Sequence, residues 1–164
     1  MLKLAMKFGL YAAGLFAVYK LVDFLIGFQT EYVSIGVMSA ISIFIVPTLF
    51  TYQGMKVSQQ RFGPLTYVQL LGQGLAITVA AGIISGAYTY LHFIWINPGF
   101  ANYVVEYLGT QGPELNLTQE EIRLLQVRER ENYEASGQAI RVLAGHGFTG
   151  GLMSLVGALI LRRR

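Results

Sequence analysis

The sequence predicts an all-α membrane protein, a bundle of four transmembrane helices. Three observations support this fold class: a low content of charged residues, four long apolar segments and a one-sided distribution of basic residues. Hydrophobic residues make up 54% of the 164 residues and charged residues only 13%, whereas a soluble domain carries about 25% charged residues. This deficit indicates that lipid surrounds most of the chain, which we expect to form a single membrane domain over residues 1–164.

Each apolar segment is long enough to cross a bilayer, for which a helix needs roughly 20 residues. The segments cover about residues 8–28, 33–52, 67–96 and 138–161. The third exceeds the minimum length, so we expect it to tilt or to protrude, with Trp95 near the interface. Lys20 interrupts the first segment, and no small-residue cleavage site follows it, so we expect this segment to be a retained span and not a signal peptide.

Basic residues in short loops mark the cytoplasmic side of a membrane protein. The stretch between the first two segments, residues 29–32, has no basic residue, and the stretch 97–137 has more glutamates than arginines. The basic residues that flank the spans all fall on the other side: Lys3, Lys7, Lys56, Arg61, Arg162, Arg163 and Arg164. Both termini are therefore predicted to be cytoplasmic, and the segment of about 97–137 extracytoplasmic.

The extracytoplasmic segment is predicted to contain two helices. Asn97 followed by Pro98 is typical of a helix start, and Thr118 with Glu121 forms a capping box at the start of a charged helix. The first helix is predicted to lie at the membrane interface. Its apolar side chains recur at steps of three and four: Phe100, Tyr103, Val104, Tyr107 and Leu108.

Two full charges, Lys20 and Asp23, lie inside the first apolar segment. At about 100° per residue they share a helix face with small residues such as Gly9 and Ala13. Burying one charge in lipid costs about 2.5 to 3.5 kcal/mol, so such groups pair and face other helices. With polar groups at a similar depth they form a predicted intramembrane polar cluster of Lys20, Asp23, His92, Arg141 and His146.

Two interpretations of this cluster remain open. It is either a structural set of ion pairs and hydrogen bonds that fixes helix register, with Lys20 reaching toward water, or a proton or ion site in which Asp23 titrates. We prefer the structural interpretation. Two histidines and one aspartate have no zinc-ligand spacing, so we expect no metal and no cofactor.

Small residues indicate where helices approach one another in a membrane. The predicted packing positions are Gly82, Gly86, Gly147, Gly150, Gly151 and Gly157. Gln69 and Gln73 form a polar pair in the inner half of the third span, nearly opposite Gly82 and Gly86. A helix with polar side chains on one face and glycines on the opposite face is expected to be central in the bundle or shared with a second subunit. Pro47 is expected to kink the second span and to free backbone carbonyls near Phe44.

Several classes of function find no support in the sequence. The chain has no cysteine, which excludes disulfides and thiolate chemistry. No nucleophile elbow, zinc-protease motif or phosphate-binding loop is present. The net charge of +3 is not gathered into a basic stripe with aromatic residues, so nucleic acid is not an expected partner. We predict a protein that is not an enzyme.

Four stretches carry a resemblance to a known family. They are RFGPLTYVQLLGQG, AGIISGAYTYLHFIWINPGF, LTQEEI and the last span ending in LVGALILRRR. In this order they resemble the bacterial, mainly bacteroidete, family called domain of unknown function 4199. The resemblance covers most of the chain and implies a four-span protein of the bacterial inner membrane. It implies no activity, cofactor or catalytic residue.

The leading functional hypothesis is a non-enzymatic accessory subunit or scaffold that binds another membrane protein or a second copy of itself. The acidic outer helix and the glycine faces favour it. The alternative is a small oligomeric transporter of ions, protons or a solute, with Asp23 as the titrating group. Four spans without a clear inverted repeat make a poor monomeric transporter, so the alternative requires an oligomer.

Overall fold

A computed structural model describes residues 1–30, 37–114 and 116–162, and for residues 37–41 the backbone alone. All regular structure in these ranges is helical: α1 Leu2–Leu25, α2 Val37–Phe62, α3 Tyr67–Leu91, a π-helical turn His92–Ile96 that continues α3, α4 Phe100–Gln111, α5 Gln119–Tyr133 and α6 Ala135–Arg162. Residues 33–36 of the predicted second span, and the basic residues Arg163 and Arg164, lie outside the described residues.

Three helices in the described part of the chain are long and apolar enough to cross a membrane: Leu2–Leu25, Tyr67–Ile96 and Ala135–Arg162. They correspond to three of the four predicted spans. The fourth, predicted over residues 33–52, corresponds to α2, whose described part continues as far as Phe62 and ends in a polar stretch. Because α2 packs against α1, α3 and α6, it completes a bundle of four long helices.

α3 packs against all three of the other long helices, as α2 does, and its contacts with α6 and α1 are the most extensive in the bundle. This agrees with the expectation that α3 is packed on two sides; a second subunit that shares α3 stays a prediction. Gly9 of α1 shows how close the backbones come: a Cβ there would lie 2.6 Å from Ala80 Cβ and 3.1 Å from the Ala81 nitrogen. Only a residue without a side chain permits such an approach between α1 and α3.

Pro47 lies inside α2, and the absence of its N–H leaves the carbonyl of Ile43 without its helical donor. The Thr149 hydroxyl of α6 lies 3.3 Å from this carbonyl oxygen. It also lies 2.8 Å from the carbonyl oxygen of Gly145, four residues earlier in α6. A neighbouring helix therefore supplies a hydroxyl where proline removes a donor, as expected in a bilayer.

The capping box of Thr118 and Glu121 at the start of α5 is confirmed. The predicted helix start at Asn97 is wrong, because α4 begins at Phe100 with Gly99 at the N-cap and no side-chain cap. The Asn97 side-chain amide instead lies against Gln29, 68 residues away in the chain. Asn97 Nδ2 lies 3.4 Å from the backbone carbonyl oxygen of Gln29.

The apolar face predicted for α4 is turned toward protein. Phe100 and Val104 are buried in a small core together with Phe93, and Tyr133 packs against it. The rings of Phe93 and Phe100 stack at 4.8 Å between centroids. α4 therefore closes one end of the bundle, which we call the α4 end; the opposite end, with Met1 and Arg162, we call the terminal end.

Candidate functional site

The structure brings three of the five predicted cluster residues to the α4 end and buries a fourth deeper in the bundle. Lys20, Asp23 and His92 are 6%, 2% and 0% exposed, and His146 is 0% exposed. Arg141 does not belong to this buried group, which corrects the prediction. Its side chain is exposed, and its guanidinium lies over the ring of Tyr133, 5.0 Å from the centroid.

Lys20 and Asp23 lie on the face of α1 that turns into the bundle, as their shared stripe with Gly9 and Ala13 predicted. Gly9 and Ala13 are buried with them. The Lys20 ammonium lies 4.7 Å from the centroid of the Phe93 ring, where the ring face attracts a cation. The Asp23 carboxylate attracts this ammonium as well. A buried charge is thus stabilised by an aromatic ring and by an opposite charge.

Gln29, in the turn that follows α1, joins the ends of two helices. Its side chain is 2% exposed; its Nε2 donates to the Lys20 oxygen at 3.0 Å, and its Oε1 lies 2.9 Å from His92 Nε2. Because an amide oxygen only accepts, His92 carries a proton on Nε2 and donates it. His92 Nδ1 then accepts from the Tyr88 hydroxyl at 3.4 Å.

Sequence reasoning missed Gln29. In the sequence it belongs only to a short loop without basic residues, and a single glutamine beside an apolar segment has no local pattern that would mark it. Its importance arises from contacts with His92 and Asn97, 63 and 68 residues away in the chain. We call Lys20, Asp23, Gln29, His92 and Asn97 together the Gln29 network.

His146 lies deeper, at the level of Gly82 of α3. Its Nδ1 lies 3.1 Å from the Val142 oxygen, and its ring meets Phe16 edge-on at 5.2 Å between centroids. His146 Nε2 has no hydrogen-bond partner, and neither have Ser85 Oγ and Thr89 Oγ1, although all three atoms are buried. We call these three residues the Ser85 group.

The terminal half of the bundle differs from the region of the Ser85 group, because its buried hydroxyls named below have hydrogen-bond partners. Thr51 and Thr78 share a hydrogen bond of 3.2 Å, and Ser154 donates to the Gly150 oxygen at 2.6 Å. Around them lies an apolar core that contains Met55 and Leu70. This half has buried polar groups, but each of those named satisfies its hydrogen bond within the protein.

The predicted glycine positions divide into two groups. Gly82 and Gly86 of α3 face α6, since a Cβ would lie 3.1 Å from Leu143 Cδ1 and 3.3 Å from the Ala139 oxygen, respectively. Two glycines of α6 also lie against other helices, since a Cβ at Gly150 would meet Thr78 and a Cβ at Gly157 would meet Met55. A Cβ added at Gly147 or Gly151 would have no described atom of another helix within 4 Å, so these two glycines do not pack within the described bundle.

Gln69 and Gln73, predicted as a polar pair, have separate roles. Gln69 is exposed and completes a capping box with Thr66 at the start of α3. Gln73 is 3% exposed, and its Nε2 lies 3.4 Å from the Met1 oxygen. The two side chains therefore fix the beginning of α3 and the beginning of α1.

No three of the His, Asp or Glu side chains in the described ranges converge so as to hold a metal ion. What the Gln29 network and the Ser85 group offer chemically is hydrogen bonding, a buried ammonium and carboxylate, and the free lone pair of one imidazole nitrogen. These are the means to bind water, a proton or another small polar species.

The described residues form an all-helical fold in which three helices are long and apolar enough to cross a membrane, as in a membrane-embedded protein. Residues 7–163 match the family described as protein of unknown function (DUF4199). The chain belongs to this family, as the resemblance of its motifs predicted. No curated protein and no solved structure matches the chain.

Proposed function

We propose that this protein is a non-enzymatic, four-span component of the bacterial inner membrane, with both termini cytoplasmic, that acts by binding another membrane protein. The observation that carries the proposal is an apolar patch on α5, a helix otherwise rich in charged residues. Leu124 and Val127, three positions apart on this helix, are each 55% exposed. We call them the α5 patch.

Leu124 of the α5 patch points away from α4, and Val127 lines a second groove, between α5 and Val105 of α4. The side of α5 that contacts α4 is formed by Ile122, which is buried, and by Gln126, whose Nε2 donates to the Val105 oxygen at 2.9 Å. On the other side a groove of about 340 Å³ is lined by Leu117, Glu121, Leu124, Leu125 and Arg128. Exposed apolar side chains with a polar rim are typical of a protein interaction site.

The charges of α5 favour a protein over a lipid surface as the occupant of this groove. A helix that lies on a membrane carries mainly lysine and arginine on its polar face, because these attract anionic lipids. α5 has the sequence QEEIRLLQVRERENY, with more glutamates than arginines. Glu121 and Arg128 at the groove rim suit a partner that presents an apolar side chain flanked by charges of both signs.

The open glycine face of α6 supports a partner within the bilayer as well. Gly147 and Gly151 are spaced as small residues that admit a second helix, and no described atom of another helix fills the space beside them. A partner with both a membrane helix and an extramembrane part fits these two surfaces.

The test compares two single substitutions on α5 that each add one negative charge. Val127→Glu alters the α5 patch, whereas Gln119→Glu alters an exposed position at the start of the same helix. After purification in mild detergent, we expect a partner in fixed stoichiometry with the native chain and with Gln119→Glu, and its loss with Val127→Glu. Purification of a lone monomer, or retention of the partner by Val127→Glu, would overturn the proposal.

Burial of Lys20 and Asp23 within a spanning helix favours a second candidate function, an oligomeric conductor of protons or ions with Asp23 as the titrating group. The sealed terminal half, where Met55 and Leu70 are fully buried, gives such a conductor no open path through one chain in this conformation. In reconstituted vesicles Asp23→Asn should abolish a pH-dependent flux. A flux that persists, or the absence of any flux with the native chain, removes this candidate.

A further inference from the structure

The Ser85 group is unusual because all three of its polar atoms are buried without a partner. Ser85, Thr89 and His146 are each 0% exposed, and Ser85 Oγ, Thr89 Oγ1 and His146 Nε2 make no hydrogen bond. Native proteins pair almost all of their buried polar atoms, either with protein groups or with ordered water. Three such atoms in one bundle core therefore need an explanation.

The two hydroxyls differ from others in the same bundle. A serine or threonine in a membrane helix commonly donates to the carbonyl four residues earlier. Thr78 does so to Gly74 at 3.0 Å, Ser58 to Gly54 at 2.8 Å and Ser154 to Gly150 at 2.6 Å. Ser85 and Thr89 do not, so each hydroxyl remains available as both donor and acceptor.

The free nitrogen of His146 is an acceptor. A carbonyl oxygen only accepts, so the contact of Nδ1 with the Val142 oxygen at 3.1 Å places the ring proton on Nδ1. In the neutral imidazole, Nε2 then carries a lone pair. The Ser85 group thus combines one acceptor with two groups that both donate and accept, a set that water satisfies.

The three residues lie at successive levels along the bundle axis. A Cβ at Gly82 would lie 3.4 Å from His146 Cβ, so His146 lies at the level of Gly82, one turn from Ser85. Ser85 and Thr89 are separated by about 6 Å along the helix axis. His92 follows Thr89 by less than one further turn and belongs to the Gln29 network. Ser85 and Thr89 therefore lie between His146 and that network.

We propose that water binds among Ser85, Thr89 and His146 and links His146 Nε2 by hydrogen bonds to the Gln29 network at the α4 end. Water is therefore the ligand of this site. His146 Nε2, a proton acceptor inside the bilayer, contacts water through this site from the α4 end only. Packed apolar side chains such as Ile77, which is 0% exposed, close the other direction. The inference does not depend on the proposed protein partner.

The chain's two histidines make the site accessible to NMR. In protein labelled with ¹⁵N-histidine and placed in lipid nanodiscs, His146→Phe assigns the His146 ring signals by their disappearance. We expect the ring proton on Nδ1, bonded to the Val142 oxygen, and transfer of magnetisation from water to the ring C–H protons on either side of Nε2, which are detected through their couplings to the labelled nitrogens. Absence of this transfer in the native chain would overturn the proposal.

A double variant, Ser85→Ala with Thr89→Val, tests the two hydroxyls, and Thr78→Val is the matched control because the Thr78 hydroxyl is paired with Thr51. We expect the double variant to lose the water transfer to His146 and not to gain thermal stability, while Thr78→Val keeps the transfer. In a dry core the double variant would instead raise the unfolding temperature, because it removes two unpaired hydroxyls, and that result contradicts a water site.

Discussion

The two halves of the bundle are built from the same four helices but treat buried polar groups differently. In the terminal half, Thr51 pairs with Thr78 and Ser154 with its own helix. In the half toward the α4 end, Ser85 and His146 keep buried atoms without a partner. Burial is equally complete on both sides, since all five of these residues are at most 3% exposed. The two halves therefore differ in whether these buried groups are paired, not in how deeply they are buried.

The difference also shows which contacts hold each half together. In the terminal half, glycines permit close packing of the helices, because a Cβ added at Gly9 or Gly74 would lie within 3.1 Å of atoms of a neighbouring helix. At the α4 end, hydrogen bonds of Gln29 connect α1 with the end of α3. The two halves should therefore respond to different substitutions, and the following predictions are ordered by the size of that response.

Gly9→Leu should have the largest effect. A side chain at this position meets Ala80 Cβ and the backbone of Ala81, which cannot move aside, and overpacking of this kind costs up to about 3 kcal/mol. Gly14→Leu is the control in the same helix, because a Cβ at Gly14 has nothing within 4 Å. Unfolding in detergent should show a strongly destabilised Gly9→Leu and a nearly native Gly14→Leu. Equal stability of the two variants would contradict close contact of α1 with α3.

Gln29→Leu should have the second largest effect. It keeps an apolar side chain of similar size but leaves His92 Nε2 and the Lys20 oxygen without their Gln29 partners, for which we expect a loss of about 2 kcal/mol. Thr30→Val serves as control, since the Thr30 hydroxyl is exposed and makes only a contact of 3.5 Å with the Gly27 oxygen. The ¹⁵N shifts of His92 should change in Gln29→Leu and remain native in Thr30→Val. An unchanged His92 spectrum in Gln29→Leu would show that Gln29 does not hold this ring.

Helix type and the burial of Lys20 and Asp23 could be predicted because both follow from local periodicity. An apolar run of sufficient length predicts a span, and the stripe that contains Gly9 and Asp23 predicts which face turns inward. The same reasoning explains the error at Arg141. Arg141 precedes His146 by five residues, which is about 140° around a helix at 100° per residue. The two side chains therefore cannot face the same core.

The remaining features depend on contacts that no local pattern reports. Asn97 has the properties of a helix cap, but the position of Gln29 gives its amide another partner, so the helix begins at Phe100 instead. The same limit applies to the glycines. Gly147 and Gly150 have similar sequence surroundings, yet only Gly150 lies against Thr78. Which small residue is covered depends on the rotation of α6 relative to α3, which the sequence does not contain locally.

The smallest effect is expected in α5, where the polar groups are exposed and belong to neither half of the bundle. The Glu121 carboxylate accepts hydrogen bonds from Thr118 N–H and its hydroxyl at 2.8 and 2.7 Å, and these lower the pKa of Glu121. A carboxylate whose pKa is lower in the helix stabilises it fully above its ordinary pKa, and this contribution is lost as the pH falls through the lowered value. The amide shifts of Glu121 and Ile122 should therefore move toward unfolded values as the solution becomes acidic.

Glu121→Gln keeps a capping acceptor but no longer titrates, so its α5 amide shifts should be insensitive to the same acidification. The neighbouring carboxylate needs its own control, because the Arg123 guanidinium also lowers the pKa of Glu120. Glu120→Gln should leave the pH response of Glu121 in place. If Glu121→Gln still shows the native response, the capping box is not its source, and the Glu120 pair with Arg123 controls the start of α5. Since full exposure to water screens both groups, neither variant should change the Gln29 network or the stability of the bundle.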